Sequence, residues 1–329
     1  MASAAEEELE AVLGGQGWPV PAEGGLDAGP PGSPEPARLR RNTCFVVLAV
    51  VFNEQEEVLM TQEAKPECSG RWYLPAGRME PGETVLEALR REVQEETGLL
   101  CQPVTLLAVE ERGPAWIRFV FLARPDGGIL KTLQEADAES LQARWWNRET
   151  PALPLRARDI LSLMELALQY RAKAPHPPTL PVELPCSLIC QRLLLVFVGP
   201  GDALWVLLGT TGAPHLPVAA SGLSRAQQSH RLLVAVQRLL QKCLPQAQAA
   251  VRVRGLLGLQ HLGRGPGHSD GICFNVVAAV GDPGHPRQES PPALQSQAFT
   301  WWKVENEALR SRALHALHTD AFLPLHSYP

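Results

Sequence analysis

Residues 77–99 read GRMEPGETVLEALRREVQEETGL, and their glutamates recur at spacings that could hold a cation. Glu92, Glu95 and Glu96 stand at i, i+3 and i+4, so on one helix their carboxylates reach the same side. Like charges that close repel, and a helix under no other demand avoids the arrangement. A divalent cation removes the penalty. Hard carboxylate oxygens favour Mg²⁺, with Mn²⁺ as a substitute, and Mg²⁺ keeps part of its shell for water and phosphate oxygens. The ordinary alternative is a solvated charged face. Gly77 and Glu83, at fixed distance upstream, count against it, because a solvated helix has no need of them.

The elements around this cluster follow from local rules. Pro81 and Gly82 make a turn, and residues 84–97 are mostly good helix formers. Val85, Leu89 and Val93 recur every four residues as the buried stripe, and Gly98 ends the helix by tolerating left-handed dihedrals. Residues 44–52, CFVVLAVVF, read as a buried central strand. Residues 57–63 are expected to be its hairpin partner, and 71–75 lead into the glutamate segment. Further strands are expected at 106–111, 116–123 and 144–147, with an amphipathic helix over 158–170 closing the unit.

The segment resembles the signature of the Nudix hydrolases with no position missing. A chance match is on the order of one in ten million for a chain of this length. The resemblance implies an α/β fold, an α/β/α sandwich around a mixed sheet that carries the segment as loop–helix–loop. It implies Glu92, Glu95 and Glu96 as metal ligands, one of them able to deprotonate water, with the Gly77 carbonyl as a further ligand. Arg91 and Glu83 would hold those glutamates in place, a pairing across about two helical turns that needs both side chains extended or Glu83 folded back from the preceding turn. Glu139, in a loop where such enzymes often supply one more acidic ligand, is a candidate beside its plain reading as a solvated residue.

The implied reaction is hydrolysis of a phosphoanhydride in a nucleoside diphosphate linked to a group X. Arg71, Arg78 and Lys65 flank the segment as candidate phosphate cations. Asp159 could read a purine edge, or simply favour a helix N-terminus. Leu39 could pack on a base, or be an apolar residue at a domain edge. Stretches beyond the signature (64–84, 111–132, 135–146, 255–264 and 268–273) resemble family members that cleave oxidised purine nucleoside diphosphates, 8-oxo-dGDP, 8-oxo-GDP and oxidised dADP, to monophosphate and phosphate. Two rival readings are hydrolysis of ADP-linked molecules such as ADP-ribose, and a non-catalytic nucleotide-binding or scaffold protein.

Length and composition set the frame. The 329 residues suffice for two domains. A net charge of −5 offers no polybasic footprint, so a small-molecule nucleotide is expected and neither nucleic acid nor membrane, while protein partners are not specified. Seven cysteines without CxxC spacing, and an acidic N-terminus, point to reduced thiols in the cytoplasm. Residues 1–37, rich in Ala, Gly, Pro and Glu, are expected to be disordered and dispensable. Residues 38–175 form the expected catalytic domain and 176–185 a Pro-rich linker.

Residues 186–329 repeat three anchors in order. Leu216-Pro217 answers Leu74-Pro75, Leu256-Leu257 answers Leu106-Leu107, and Trp301-Trp302 answers Trp145-Trp146. A helix expected over about 224–243 contains no Asp or Glu. The second half is therefore expected to be a degenerate Nudix-like domain without a metal site.

Overall fold

The computed structural model describes residues 2–21, 26–27, 35–113, 116–149, 152–221, 232–245, 251–264, 269–281 and 289–327. Helix α1 (Ala2–Leu13) and the short strand β1 (Leu26–Asp27) come first. The first half then runs β2 (Cys44–Val51), β3 (Val58–Glu63), β4 (Trp72–Tyr73), β5 (Ala76–Arg78), α2 (Val85–Thr97), β6 (Leu99–Gly113), β7 (Trp116–Gly128), β8 (Ser140–Trp146) and α3 (Asp159–Ala172). The second half runs β9 (Ile189–Val198), β10 (Leu204–Gly209), β11 (Val218–Ala220), α4 (Leu232–Cys243), β12 (Val251–Gln260), β13 (Ile272–Val280), β14 (Phe299–Lys303) and α5 (Glu307–Thr319), and β15 (Leu325–Ser327) follows.

Strand β2 shows how its apolar run is used. Side chains alternate across a strand, so Phe45, Val47, Ala49 and Val51 pack with Val85, Leu89 and Val93 of α2. Leu48 and Val50 pack on the other face with Ile160, Leu163 and Met164 of α3. A strand buried on both faces must be apolar throughout. β2 pairs β7 in parallel, while β6–β7 and β2–β5 are antiparallel, so the sheet is mixed and sits between two helices. The expected hairpin of residues 57–63 with β2 does not form. Beyond one bridge at Phe52 and Val58, β3 pairs instead with β4 and β8 in a separate three-stranded sheet.

The second half repeats these pairings and adds an antiparallel β9–β10 pair, where β2 and β3 share a single bridge. β9 pairs β13 in parallel, while β12–β13, β9–β11 and β10–β14 are antiparallel. Leu193 and Leu195 of β9 share a core with Leu232, Val236 and Leu239 of α4, and Leu194 and Val196 share one with Leu309, Ala313 and Leu314 of α5. The expected helix over 224–243 is α4, with residues 224–231 outside the described part, as is His268 of the 268–273 stretch. One apolar cluster contains both the α2 face of the first half and the α4 face of the second.

The segment expected to be disordered is not so over its described residues. In α1, Ala5, Leu9 and Val12 recur on one face and are buried against β9, β10 and α5 of the second half. Averaging composition over 1–37 conceals this stripe. Glu8 is buried on the same face, ion-paired with Arg192 Nε at 2.9 Å and accepting from the Leu216 N–H at 2.8 Å. Burial pushes its carboxyl up, against the pull of Arg192. β1 adds to β11 in parallel, and Asp27 receives Arg238 Nε and Lys242 Nζ. The 176–185 segment is likewise held on both sides. Leu106 N–H donates to the Thr179 carbonyl, and Val182 N–H donates to that of Leu259.

Candidate active site

Helix α2 is the frame of the site, and its ends are set by local chemistry. Thr84 is the N-cap, its hydroxyl accepting from the Glu87 N–H while the Glu87 carboxylate accepts from the Thr84 N–H, a full capping box. Gly98 closes the helix at φ 75°, donating its N–H to the Gln94 carbonyl at 2.8 Å, where a Cβ would lie 2.1 Å from the Ile129 carbonyl oxygen. Between these caps, Glu92 and Glu96 fall on the buried side and Glu95 on the exposed side.

Arg91 ties the cluster together. Its Nε donates to Glu83 Oε1 at 2.5 Å and its Nη2 to Glu83 Oε2 at 3.0 Å, with Nη2 also reaching the Arg78 carbonyl at 3.1 Å. Nη1 donates to Glu92 at 2.8 Å and to Glu95 at 3.0 Å. Glu83 lies before the helix in the Gly82 turn, which brings its carboxylate back over Arg91. Glu83 foremost, then Glu92 and Glu95, hold the guanidinium firmly protonated against its burial.

The inner glutamates are under strain of charge. Glu96 is 3% exposed, and one of its oxygens accepts the Ala76 N–H at 3.0 Å. Burial foremost, and then the neighbouring charges of Glu92 and Glu63, push its carboxyl well above the usual range, with the Ala76 bond and Lys65 opposing. Burial likewise raises Glu92 against the pull of Arg91, and the charges of Glu139 and Glu95 add to it. Gly77 faces this group. A Cβ there would lie 1.9 Å from Glu92 Oε2, so no other residue fits while Glu92 keeps its place.

Glu63 is a carboxylate that motif reading passed over. It ends β3, is buried, pairs through one oxygen with Arg156 at 2.6 Å, and leaves Oε2 with no hydrogen-bond partner. The sequence carries little signal for it, since Glu63 closes a polar Thr61-Gln62-Glu63 end of the strand. Its proximity to Glu96 comes from pairing of β3 with β4 and β8, which the sequence does not display.

The donor set fits a hard divalent cation: several carboxylates, mutually repelling, two of them buried, beside an unpartnered carboxylate oxygen. Among the described residues, however, no three such side chains are already turned to one point. Arg91 holds Glu92 and Glu95, and Ala76 holds Glu96, so these side chains must turn to share an ion.

The remaining candidates fall in three places. Arg71 and Arg78 are exposed cations flanking the segment, and Glu139 lies in an exposed loop, its N–H donating to Asp137. Asp159 sits at the start of α3 in a polar cluster. It accepts from Arg118 at 2.9 Å, Arg112 at 3.0 Å and the Tyr73 hydroxyl at 3.2 Å, and Arg118 also donates to Glu110 at 2.5 Å and to Tyr73 at 2.8 Å. Burial alone would raise the Asp159 carboxyl, but Arg118 and Arg112 carry it below the usual range. It is thus an ion-paired group and more than a helix-terminal charge. Leu39 is 3% exposed, packed in the core, with its N–H donating to Asp270 of the second half at 2.7 Å. It would have to leave the core to meet a base.

Comparison with known proteins covers the same ground. A family model described as "NUDIX domain" matches residues 43–165, from the start of β2 into α3. A Homo sapiens protein named 8-oxo-dGDP phosphatase NUDT18 is 57% identical over 317 residues, 96% of this chain and 97% of its own length. Its Danio rerio namesake is 46% identical over 98% of this chain and 97% of its own. A Caenorhabditis elegans protein named putative nudix hydrolase 1 is 41% identical over 49% of this chain and 45% of its own. Since the likeness runs through the glutamate helix and on past it to the C-terminal half, membership follows without appeal to the motif alone: this chain belongs to the Nudix hydrolase family.

Proposed function

We propose that the protein hydrolyses oxidised purine nucleoside diphosphates, 8-oxo-dGDP foremost, to the monophosphate and phosphate, and so removes damaged nucleotides from the cytosolic pool. The observation that carries this reading is the near-full-length likeness to proteins named 8-oxo-dGDP phosphatase. The glutamate segment supports the reaction type, and the likeness across both halves supports the substrate. Seven free cysteines accord with a reducing compartment. Among the described residues, no helix is long and apolar enough to cross a membrane. A small nucleotide is the partner in this reading, with no role for nucleic acid or a lipid surface.

In this reading Glu92, Glu95 and Glu96, with the Gly77 carbonyl and Glu139, hold Mg²⁺, for which Mn²⁺ can substitute. A bound cation of this kind polarises phosphate oxygens and makes water easier to deprotonate. Glu96, buried and held by the Ala76 N–H, is in this reading the carboxylate that takes the proton of the attacking water. Arg91 and Glu83 restrain the carboxylates, so that less ordering is left to the moment of reaction. Arg71, Arg78 and Lys65 are the cations available to the phosphates. Asp159, paired with Arg118 and Arg112, stays ionised and can accept from a purine N–H.

The second half, in our reading, is a degenerate copy of the first. Its strand pairings repeat those of the first half, and buried positions of α4 align Leu232, Ala235 and Val236 with Val85, Ala88 and Leu89 of α2. On that alignment Leu239, Lys242 and Cys243 stand where α2 has Glu92, Glu95 and Glu96. By strand register Ala219 stands where Gly77 does. None of these aligned positions carries a carboxylate, and Lys242 is paired with Asp27. A Mn²⁺ site that survived Glu92→Gln combined with Glu96→Gln would refute this.

The experiment for the activity is product analysis with Mg²⁺ on 8-oxo-dGDP, dGDP, 8-oxo-dGTP and ADP-ribose, beside Glu96→Gln. Selective release of 8-oxo-dGMP and phosphate, lost in the variant, is the expected outcome. Preferred cleavage of ADP-ribose would replace the substrate, and no turnover of any of the four would remove the activity.

A further inference from the structure

The turn that leads into α2 is not held by the first half alone. His261, Gly263 and Arg264, which follow β12 of the second half, meet it directly. The His261 ring is 1% exposed, stands edge-on to Phe45 with centroids 6.1 Å apart, and is clamped between two carbonyl oxygens. Nδ1 lies 2.9 Å from that of Gly271, and Nε2 lies 3.3 Å from that of Glu83. Two residues on, the backbone approaches so closely that a Cβ on Gly263 would sit 2.5 Å from the same Glu83 oxygen. Gly263 needs its missing side chain for that approach, since its φ lies outside the left-handed region. Arg264 adds an ion pair with Glu87, the residue that completes the capping box of α2. That pair is exposed and contributes little by itself.

The contact falls on the backbone of the residue whose side chain grips Arg91. A shift of the Glu83 carbonyl turns its carboxylate, and Arg91 carries the shift to Glu92 and Glu95. Phe45 links the same point to the sheet, since its carbonyl accepts from the Met79 N–H at 2.9 Å, two residues after Gly77. The second half thus touches the loop before α2 directly at Glu83, and its other end only through Phe45.

We propose that the second half acts on the first as a strut, with His261 and Gly263 as positioning residues. They fix the Glu83 turn so that Glu83 and Arg91 present the metal-site glutamates in register. The proposal rests on the reading that those glutamates act on a nucleotide phosphate. It assigns the degenerate half a role in the reaction that needs no ligand of its own.

The test uses the full chain and four variants: Gly263→Ala, His261→Leu, His261→Gln, and Leu314→Ala, whose site lies in the second half's other core. Three quantities are read: kcat and KM on the diphosphate the wild type cleaves, the melting temperature, and Mn²⁺ affinity by calorimetry without nucleotide. Gly263→Ala and His261→Leu should lower kcat and Mn²⁺ affinity by about tenfold or more, with KM little changed. His261→Gln offers an amide N–H to the Glu83 carbonyl and should recover most of the loss. Leu314→Ala should melt lower with kcat intact. Wild-type kcat and Mn²⁺ affinity in both Gly263→Ala and His261→Leu would overturn the strut, as would an equal loss in Leu314→Ala. Should Gly263→Ala fail to fold, the two His261 variants decide. Should the wild type cleave no nucleotide, the activity proposed above fails, and Mn²⁺ affinity still decides the strut.

Discussion

Glu96 carries the largest conflict between burial and charge in the site, and two predictions belong at this scale. Its folded carboxyl takes up protons more readily than in the unfolded chain. Such a group stabilises the fold below its unfolded pKa and loses that contribution as pH rises through the raised folded value. At neutral pH it is therefore a net liability in the cation-free protein. Glu96→Gln should cut kcat by about 10²–10⁴-fold, the range expected for losing a general base, while raising the melting temperature of metal-free protein at neutral pH. Activity assays and thermal melts side by side check it, and a lower melting temperature would sink the charge argument. Arg118 is the opposite case, a buried cation shared by Glu110, Asp159 and Tyr73. Arg118→Met leaves two carboxylates without their main partner and should cost about 3–5 kcal/mol in urea unfolding. A loss below about 1 kcal/mol, the worth of an ordinary exposed pair, would mean the cluster is solvated.

At the scale of elements, the 176–185 segment behaves as part of the fold. His176 is buried, stacks at a tilt on Tyr170 with centroids 5.0 Å apart, and places Nδ1 2.9 Å from the Pro177 carbonyl oxygen. Burial foremost lowers its affinity for a proton, against the pull of that carbonyl. The unfolded chain protonates this imidazole near pH 6.5, roughly the free value, whereas the folded chain does so only at lower pH. Stability from this group is then present above that pH and is lost as pH falls below it. Unfolding free energy of wild type relative to His176→Asn should decline between about pH 7 and 5, with a slope of at most about 1.4 kcal/mol per pH unit. Parallel curves for the two proteins would show that His176 is not the group. Helix α2 is the contrasting element. Its cap, stripe and stop signal all lie within fifteen residues, so residues 84–98 were legible in advance.

For the whole molecule, one apolar cluster joins the two halves, and another packs the N-terminal helix on the second half. Leu9 is fully buried, which alone contributes about 1.5–3 kcal/mol, and Glu8 neutralises the buried Arg192. Arg192 Nη2 also donates to the Trp18 and Pro19 carbonyls at 2.6 and 2.9 Å. Deleting residues 1–21 removes all these partners at once. The deletion should lower the melting temperature by about 8 °C or more, since each 1 kcal/mol shifts a domain of this size by roughly 2–4 °C. Calorimetry of the intact chain should show one transition, because a single cluster spans α2 and α4. An unchanged melting temperature in the deletion would return that segment to the dispensable class.

What the sequence determined by itself is what short spacing encodes. Residues 77–99, the strand expected over 44–52, and the Leu-Pro and Trp-Trp anchors were readable because each depends on neighbours within about two turns of helix or one strand. The clustering of Glu92, Glu95 and Glu96 on one helix was readable for the same reason. Tertiary structure decided the rest. It brought Glu63 to Glu96, and it gathered Tyr73, Glu110, Arg118 and Asp159 from three strands and a helix. It laid α1 and β1 on the second half, joined β15 to β6, and set Gly263 against Glu83. These contacts join residues many positions apart, and periodicity reports only which side of an element is apolar, never which distant surface will cover it. Helix α1 shows the limit: the composition of residues 1–37 reads as disordered, while Ala5, Leu9 and Val12 find their cover only among neighbours in space.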